Sequence, residues 1–584
     1  MIGYSEWVKK LIYNNFEIFT ALAIFLIVSI YSANNVGIVG EVTGGWGLPD
    51  GAAVTVDYDQ SIPVVSPNHT IGPLVASETR PLESLNIGDI SIPLAVNQYT
   101  GGPPDWPARV VYWLTGSLTA VTGLHILLGG LLLLLTTRFL TFHASKLSAG
   151  LAGLALATSW SFIYYKKVLG GTEILLQAAG VLFVWALWSR RHSGGKHGAT
   201  AVAVAVGLGL MAKITFAPVI AALCLAAVLT RWDHQPLKPP PKLRLLRIFG
   251  IVTLITSPLT IAFIHHEFFA PEHVVISHDF LDLQINRAFG GLTTAPREGA
   301  ENLLWFALDP IQWFGPAYSA EVPNFLPLGR GFGWLLIIVG CFAAWGDRGS
   351  MKSGALLRFM SLAVPLEICA LYLSNRDLHH LAQLVPHVAI LLALSIERCA
   401  AMFTAPRSPR RALLALLLIY PWLHSGVASL RVTDRTISTS PIHTFTASGQ
   451  SDLVELVERN GVERLWASDY DLYGALDMLL PSVEINNAWG DISHRRGTHR
   501  EGGISVKVCN IQGHDCSRAA LQDLLRSARG GHYLTVRPSA PMIYNLKPNM
   551  HALQHAAGAV GVNLEIVDHL EDDTGRWAEL IRIF

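Results

Sequence analysis

Leu124-His125-Ile126-Leu127-Leu128-Gly129-Gly130-Leu131-Leu132-Leu133-Leu134-Leu135 runs for twelve positions without an acid, a lysine or an arginine. A helix half-exposed to water would show a polar face every 3.6 residues, and this stretch shows only His125. Followed outward, its apolar character extends over about 109–137, enough for a bilayer core that needs about 20 residues per helix. The runs Ile18–Tyr31 and Leu413–Tyr420 have the same character. Across all 584 residues, 51% are hydrophobic and 15% charged, with a mean hydropathy of +0.38. Soluble domains carry about 25% charged residues, so a large soluble enzyme is excluded. The 43 basic and 43 acidic residues balance, which gives no support to a nucleic-acid partner. The six cysteines form no CxxC pair, so neither a zinc ribbon nor a disulfide scaffold is indicated.

Eleven segments have the apolar length expected of spans: about 14–34, 109–137, 147–165, 171–189, 199–212, 214–230, 248–264, 332–346, 358–374, 381–397 and 412–430. The first lacks a small-residue cleavage site and reads as an anchor. Orientation follows from lysine and arginine near the span ends. Lys9 with Lys10, Arg138 with Lys146, Arg190 with Arg191, the 231–247 cluster, Arg348 with Lys352, and Arg407 with Arg410 and Arg411 all fall on one side. That side reads as the cytoplasm. The fold class expected is a polytopic α-helical membrane protein with about eleven transmembrane helices.

Three segments then face outward: a first loop of about 32–108, a middle loop of about 265–331, and a tail of 431–584. The first loop holds one basic residue, Arg80, against eight acids. The tail alternates amphipathic helical patterns (Asp452–Arg459, Ala519–Arg529, His551–Gly561) with strand-like runs (Glu463–Ala467, His532–Val536, Leu564–Val567, Ala578–Phe584). It reads as an extracytoplasmic α/β domain following a catalytic membrane domain of 1–430.

Long loops without regular structure are usually functional or disordered, and this first loop is acidic. Asp57 and Asp59 would point the same way in an extended chain; Glu78 and Asp89 follow. A carboxylate there can accept a proton from an acceptor or share a divalent cation, or it can simply keep the loop soluble.

Gly88-Asp89-Ile90-Ser91-Ile92-Pro93-Leu94, Tyr99-Thr100-Gly101-Gly102-Pro103-Pro104 and Tyr112-Trp113-Leu114-Thr115-Gly116 resemble the first-loop exit of GT-C membrane glycosyltransferases. The likeness is to the protein O-mannosyltransferase and lipid A aminoarabinose transferase superfamily. Gly207-Leu208-Gly209-Leu210-Met211-Ala212-Lys213-Ile214-Thr215 and His379-His380-Leu381-Ala382-Gln383-Leu384-Val385-Pro386 resemble two later segments of that group. The resemblance implies a GT-C fold in a bacterial inner (plasma) membrane. It also implies an inverting transfer of a hexosyl or pentosyl unit from a polyprenyl-phosphate donor to a protein, lipid or glycan acceptor. The family's first-loop acid is often an Asp-Glu pair, which this loop lacks. Glu78 matches that position by spacing, and Asp57 and Asp59 match by residue type.

Lys213 sits between two apolar segments, where an ammonium must reach water or an anion. A leaving polyprenyl phosphate is such an anion, and a snorkelling lysine is the bland alternative. Lys166 and Lys167 lie on the unfavoured side of the charge bias, as phosphate binders or as a mark against the topology. Glu173 matches an acid of the family's second external loop; it would assist a divalent metal or pair with Lys166 or Lys167. Arg376, His379 and His380 cluster at a span end and suit phosphate. The middle-loop histidines are irregularly spaced with no HExxH, so they do not indicate a metal site, and a divalent metal stays open only at Glu173. Two other classes fit parts of the pattern. A transporter or lipid flippase would predict internal repeats, and a non-catalytic envelope scaffold would leave the loop acids as solvated surface.

Overall fold

A computed structural model describes residues 16–35, 83–87, 90–95, 102–115, 118–159, 162–163, 170–193, 198–230, 242–269, 326–346, 352–374, 381, 383–405, 408–439, 447–467, 476, 480, 482–487, 515–536, 550–572 and 575–584. Up to residue 439 these form twelve helices: α1 (Phe16–Asn35), α2 (Trp106–Thr115), α3 (Leu118–His143), α4 (Lys146–Ala157), α5 (Gly170–Ser193), α6 (Gly198–Ala212), α7 (Phe216–Leu229), α8 (Lys242–Phe269), α9 (Leu326–Gly346), α10 (Lys352–Ser374), α11 (Val385–Phe403) and α12 (Pro409–Thr439). All but α2 coincide with expected spans. Among the described residues, five helices are long and apolar enough to cross a membrane by themselves, and six shorter ones are apolar.

One boundary differs from the sequence expectation. The 109–137 segment is two helices, and its span is α3, displaced toward the carboxy terminus. Hydropathy does not register the interruption because α2 is also apolar. Short helices of this kind start readily after prolines, and α2 follows a 3-10 turn at Pro103–Asp105. Ahead of that turn, β1 (Glu83–Ile87) and β2 (Ile90–Ala95) pair antiparallel.

The chain forms two compact units. One comprises 1–32, 123–260 and 280–433; the other comprises 33–122, 261–279 and 434–584. In the helical unit, Ile27, Leu131, Phe249, Leu254, Phe342 and Leu417 are all more than half exposed. Apolar surface on this scale is costly in water and natural against lipid. This is an integral membrane protein.

Helices in lipid gain little from the hydrophobic effect and associate through close packing of small residues. A Cβ on Gly340 would lie 2.7 Å from the Ser395 Cα, so α9 and α11 touch almost backbone to backbone. At the end of α9, Arg358 donates to the Ala344 carbonyl at 3.0 Å and Arg398 to that of Ala343 at 3.3 Å. These bonds satisfy carbonyls that a helix end otherwise leaves unpaired. Glu397 of α11 accepts from Ser145, the N-cap of α4, at 2.7 Å, and from Ser148.

The tail contains α13 (Ala447–Arg459), β3 (Arg464–Ala467), β4 (Glu484–Asn487), α14 (Asp515–Ser527), β5 (His532–Val536), α15 (Met550–Val560), β6 (Leu564–Asp572) and β7 (Gly575–Ile583). The sheet order is β4-β3-β5-β7-β6, with β3 parallel to β4 and β5 and the other pairs antiparallel. Residue alternation serves two cores. Leu465, Ala467 and Leu534 meet Leu453, Leu456 and Val457 of α13 on one face. Trp466, Tyr533 and Ile581 meet Leu524, Leu525 and Leu553 of α14 and α15 on the other. Gly461 (φ 58°), two residues past α13, and Gly561 (φ 67°), directly after α15, turn each helix into its strand, a backbone region that L side chains avoid. β4 carried no sequence signal, because Glu484-Ile485-Asn486-Asn487 is an edge strand with polar residues.

Candidate active site

The α6–α7 corner explains the glycine-rich run that ends in Lys213. The Lys213 amide donates to the Gly209 carbonyl at 2.9 Å, continuing the ladder of α6 by one bond. Its own carbonyl then accepts from the Phe216 amide at 3.0 Å, so the chain reverses within three residues. This corner closes only because Gly209 has no side chain. A Cβ there would lie 2.0 Å from the Phe216 ring, which fills that space. Gly207 likewise admits Ile255 of α8, to which a Cβ would come within 2.9 Å.

The corner directs Lys213 into the bundle. Its Nζ lies 3.4 Å from Oε1 of Glu173, in the first turn of α5, and both side chains are at least nine-tenths buried. An acid near a helix N-terminus is favoured by the helix dipole, and its pairing makes the buried ammonium tolerable. Glu173 therefore serves Lys213 through Oε1. Among the described residues no three His, Cys, Asp or Glu side chains gather as a metal set.

A second buried pair lies deeper, and the sequence reading missed it. His387, in the first turn of α11, places Nδ1 2.9 and 3.0 Å from the two carboxylate oxygens of Glu367 in α10. Both side chains are sealed from solvent. The signal existed in the sequence, because each is an ionisable residue inside an otherwise apolar run. Connectivity puts the first turns of α5, α7 and α11 and the last turns of α6 and α10 at one end of the bundle. Lys213, Glu173, His387 and Glu367 thus share that end, and Glu397 with Ser145 and Ser148 marks the opposite one.

Of the residues singled out from sequence, the structure brings Lys213 and Glu173 together. Asp57, Asp59, Glu78, Asp89, Lys166, Lys167, Arg376, His379 and His380 lie outside the described residues.

No protein-family model matches this sequence, and no curated protein matches it. Solved structures do. ArnT from Cupriavidus metallidurans bound to undecaprenyl phosphate aligns with a TM-score of 0.51 at 12% identity, over 96% of this chain and 97% of that one. The archaeal oligosaccharyltransferase AglB from Archaeoglobus fulgidus, in complex with an inhibitory peptide and a dolichol-phosphate, gives a TM-score of 0.47 at 12% identity over 89% and 69%. The fold is GT-C-like. Its likeness to ArnT extends over nearly the whole chain, tail included, and is a likeness of architecture.

Proposed function

We propose that this protein is a lipid-linked-sugar-dependent glycosyltransferase. It moves a sugar from a polyprenyl-phosphate carrier to an acceptor on the extracytoplasmic face, with inversion at the anomeric carbon. The observation that carries this reading is the buried ammonium of Lys213, fixed at one end of a GT-C helix bundle by Glu173. On the lysine and arginine bias, that end is extracytoplasmic.

In the reaction, a first-loop carboxylate (Asp57, Asp59, Glu78 or Asp89) takes the proton of an acceptor hydroxyl or amine. The freed lone pair attacks the anomeric carbon, and the bond from that carbon to the phosphate oxygen breaks on the opposite face. The oxygen keeps the bonding electrons, so the carrier phosphate gains one negative charge. A cation held in a low-dielectric site stabilises that growing charge more than it stabilises the bound donor. Lys213 takes this role, with Lys166, Lys167, Arg376, His379 and His380 as further donor-phosphate contacts. The acceptor class is a protein, lipid or glycan, and the tail is positioned in the sequence to select it.

The test is turnover of a labelled polyprenyl-phosphate sugar by the purified protein in lipid vesicles, with the product anomer read by NMR. Release of free polyprenyl phosphate and an inverted product are expected. Movement of intact donor across the bilayer without cleavage would establish a flippase instead.

A further inference from the structure

The two buried pairs are joined by one face of α5. Glu173, Gln177 and Gly180 are spaced i, i+4 and i+7, so they line one stripe of that helix. Glu173 and Gln177 are almost wholly buried. At the deep end of the stripe, the His387 imidazole lies against Gly180. The approach is close because Gly180 offers no side chain. A Cβ there would fall 3.0 Å from Cε1 and 3.1 Å from Nε2 of His387. The same Cβ would lie 4.0 Å from the Phe216 ring, which opens α7 immediately after the Lys213 corner.

Glu367 holds the other side of the imidazole. Nδ1 faces both of its carboxylate oxygens, so the ring plane and its direction are fixed from α10. Three helices are therefore registered on one imidazole, and the stripe it holds ends two turns away on Glu173. Core packing of this density transmits displacement instead of absorbing it. The Lys213–Glu173 contact, at 3.4 Å, is near the outer limit of a hydrogen bond and has little slack.

We propose that His387, oriented by Glu367, is a positioning residue. It sets the depth and rotation of α5 through Gly180, and thereby holds Glu173 where it fixes the Lys213 ammonium for the donor phosphate. The phosphate role rests on the function proposed above; the mechanical link from His387 to Lys213 does not.

The test separates the two. The full-length protein in detergent, without lipid donor, is treated with an amine-acylating reagent, and acylation of Lys213 is timed by mass spectrometry. His387→Asn, Glu367→Gln and Gly180→Ala are compared with wild type. Gly180→Ala matters most, because it leaves every buried charge in place and disturbs only the contact with the imidazole. Acylation of Lys213 about tenfold faster in Gly180→Ala or Glu367→Gln, the scale of coupling between contacting groups, is the expected result. Unchanged Lys213 reactivity in every folded variant overturns the proposal.

A second arm measures binding of a short-chain polyprenyl phosphate. Gly180→Ala weakens binding in the wild-type background and has no further effect in Lys213→Ala. Equal losses in both backgrounds would mean that His387 acts on the fold generally and not through Lys213. If Lys213 reactivity responds but no variant, wild type included, binds the lipid, the positioning role stands and the glycosyltransferase reading falls.

Discussion

His387 Nδ1 lies between the two carboxylate oxygens of Glu367, 2.9 Å from one and 3.0 Å from the other, with neither side chain reaching solvent. Burying an acid inside a membrane bundle is tolerable only with such a partner. Removing one member leaves the other uncompensated, whereas replacing both with apolar residues of similar volume does not. Glu367→Ala should therefore destabilise the protein by about 3–5 kcal/mol. The double variant Glu367→Leu with His387→Leu should recover much of that loss. Thermal unfolding in detergent checks the order of the three proteins.

Lys213→Met removes the one described cation at the proposed phosphate site. Loss of a preorganised charge partner of the leaving group lowers turnover by about 10²–10³-fold. Because the effect belongs to the transition state, kcat should fall more than donor affinity. Lys213→Arg keeps the charge and should retain part of the activity. A variant at full activity would remove Lys213 from the mechanism.

The proposed base is one of four first-loop acids. Asp57→Asn, Asp59→Asn, Glu78→Gln and Asp89→Asn should divide sharply. The base variant loses about 10²–10⁴-fold in transfer, and the others stay near wild type. Four fully active variants would exclude a first-loop base.

Gly209→Ala pushes a methyl group into the Phe216 ring and so opens the corner that carries Lys213. Overpacking of this kind costs about 1–3 kcal/mol. Reducing the ring in the same protein, by Phe216→Leu, should restore stability. Unfolding curves of the single and double variants give the comparison.

In the tail, Arg459 at 2.7 Å and Asn460 at 2.7 Å both donate to Asp568 on β6. These bonds hold the Asp568 carboxyl well below the usual carboxylate range, the Arg459 bond contributing most. A depressed folded pKa stabilises the fold above the unfolded value of about 3.9, and the benefit is lost as pH falls below it toward the folded pKa. Asp568→Asn should therefore speed amide exchange in β6 and β7 at neutral pH. The difference from wild type should shrink at about pH 2.5, below the unfolded carboxyl's pKa. A difference independent of pH would assign the effect to packing.

The break between α2 and α3 and the strand β4 show where pattern reading stops. Hydropathy averages over Trp106–Thr115 and Leu118–His143 together, so it reports one apolar segment where two helices exist. Glu484–Asn487 becomes a strand through its parallel pairing with Arg464–Ala467, a partner some twenty residues away. By contrast, Leu465, Trp466 and Ala467 alternate between two apolar cores, and their strand character is written locally.

The helical spans, the charge bias between their ends and the α/β rhythm of the tail are properties of contiguous residues, and the sequence alone determined them. Hydropathy and helical or strand periodicity act over one element at a time. Lys213 and Glu173 were also visible as ionisable residues at the ends of apolar runs. That they meet, across a separation of 40 residues, was decided by the packing of α5 against α6. His387 and Glu367, 20 residues apart, became a pair for the same reason. A buried charge must find its counter-charge, but which one it finds depends on helix contacts that no single segment encodes.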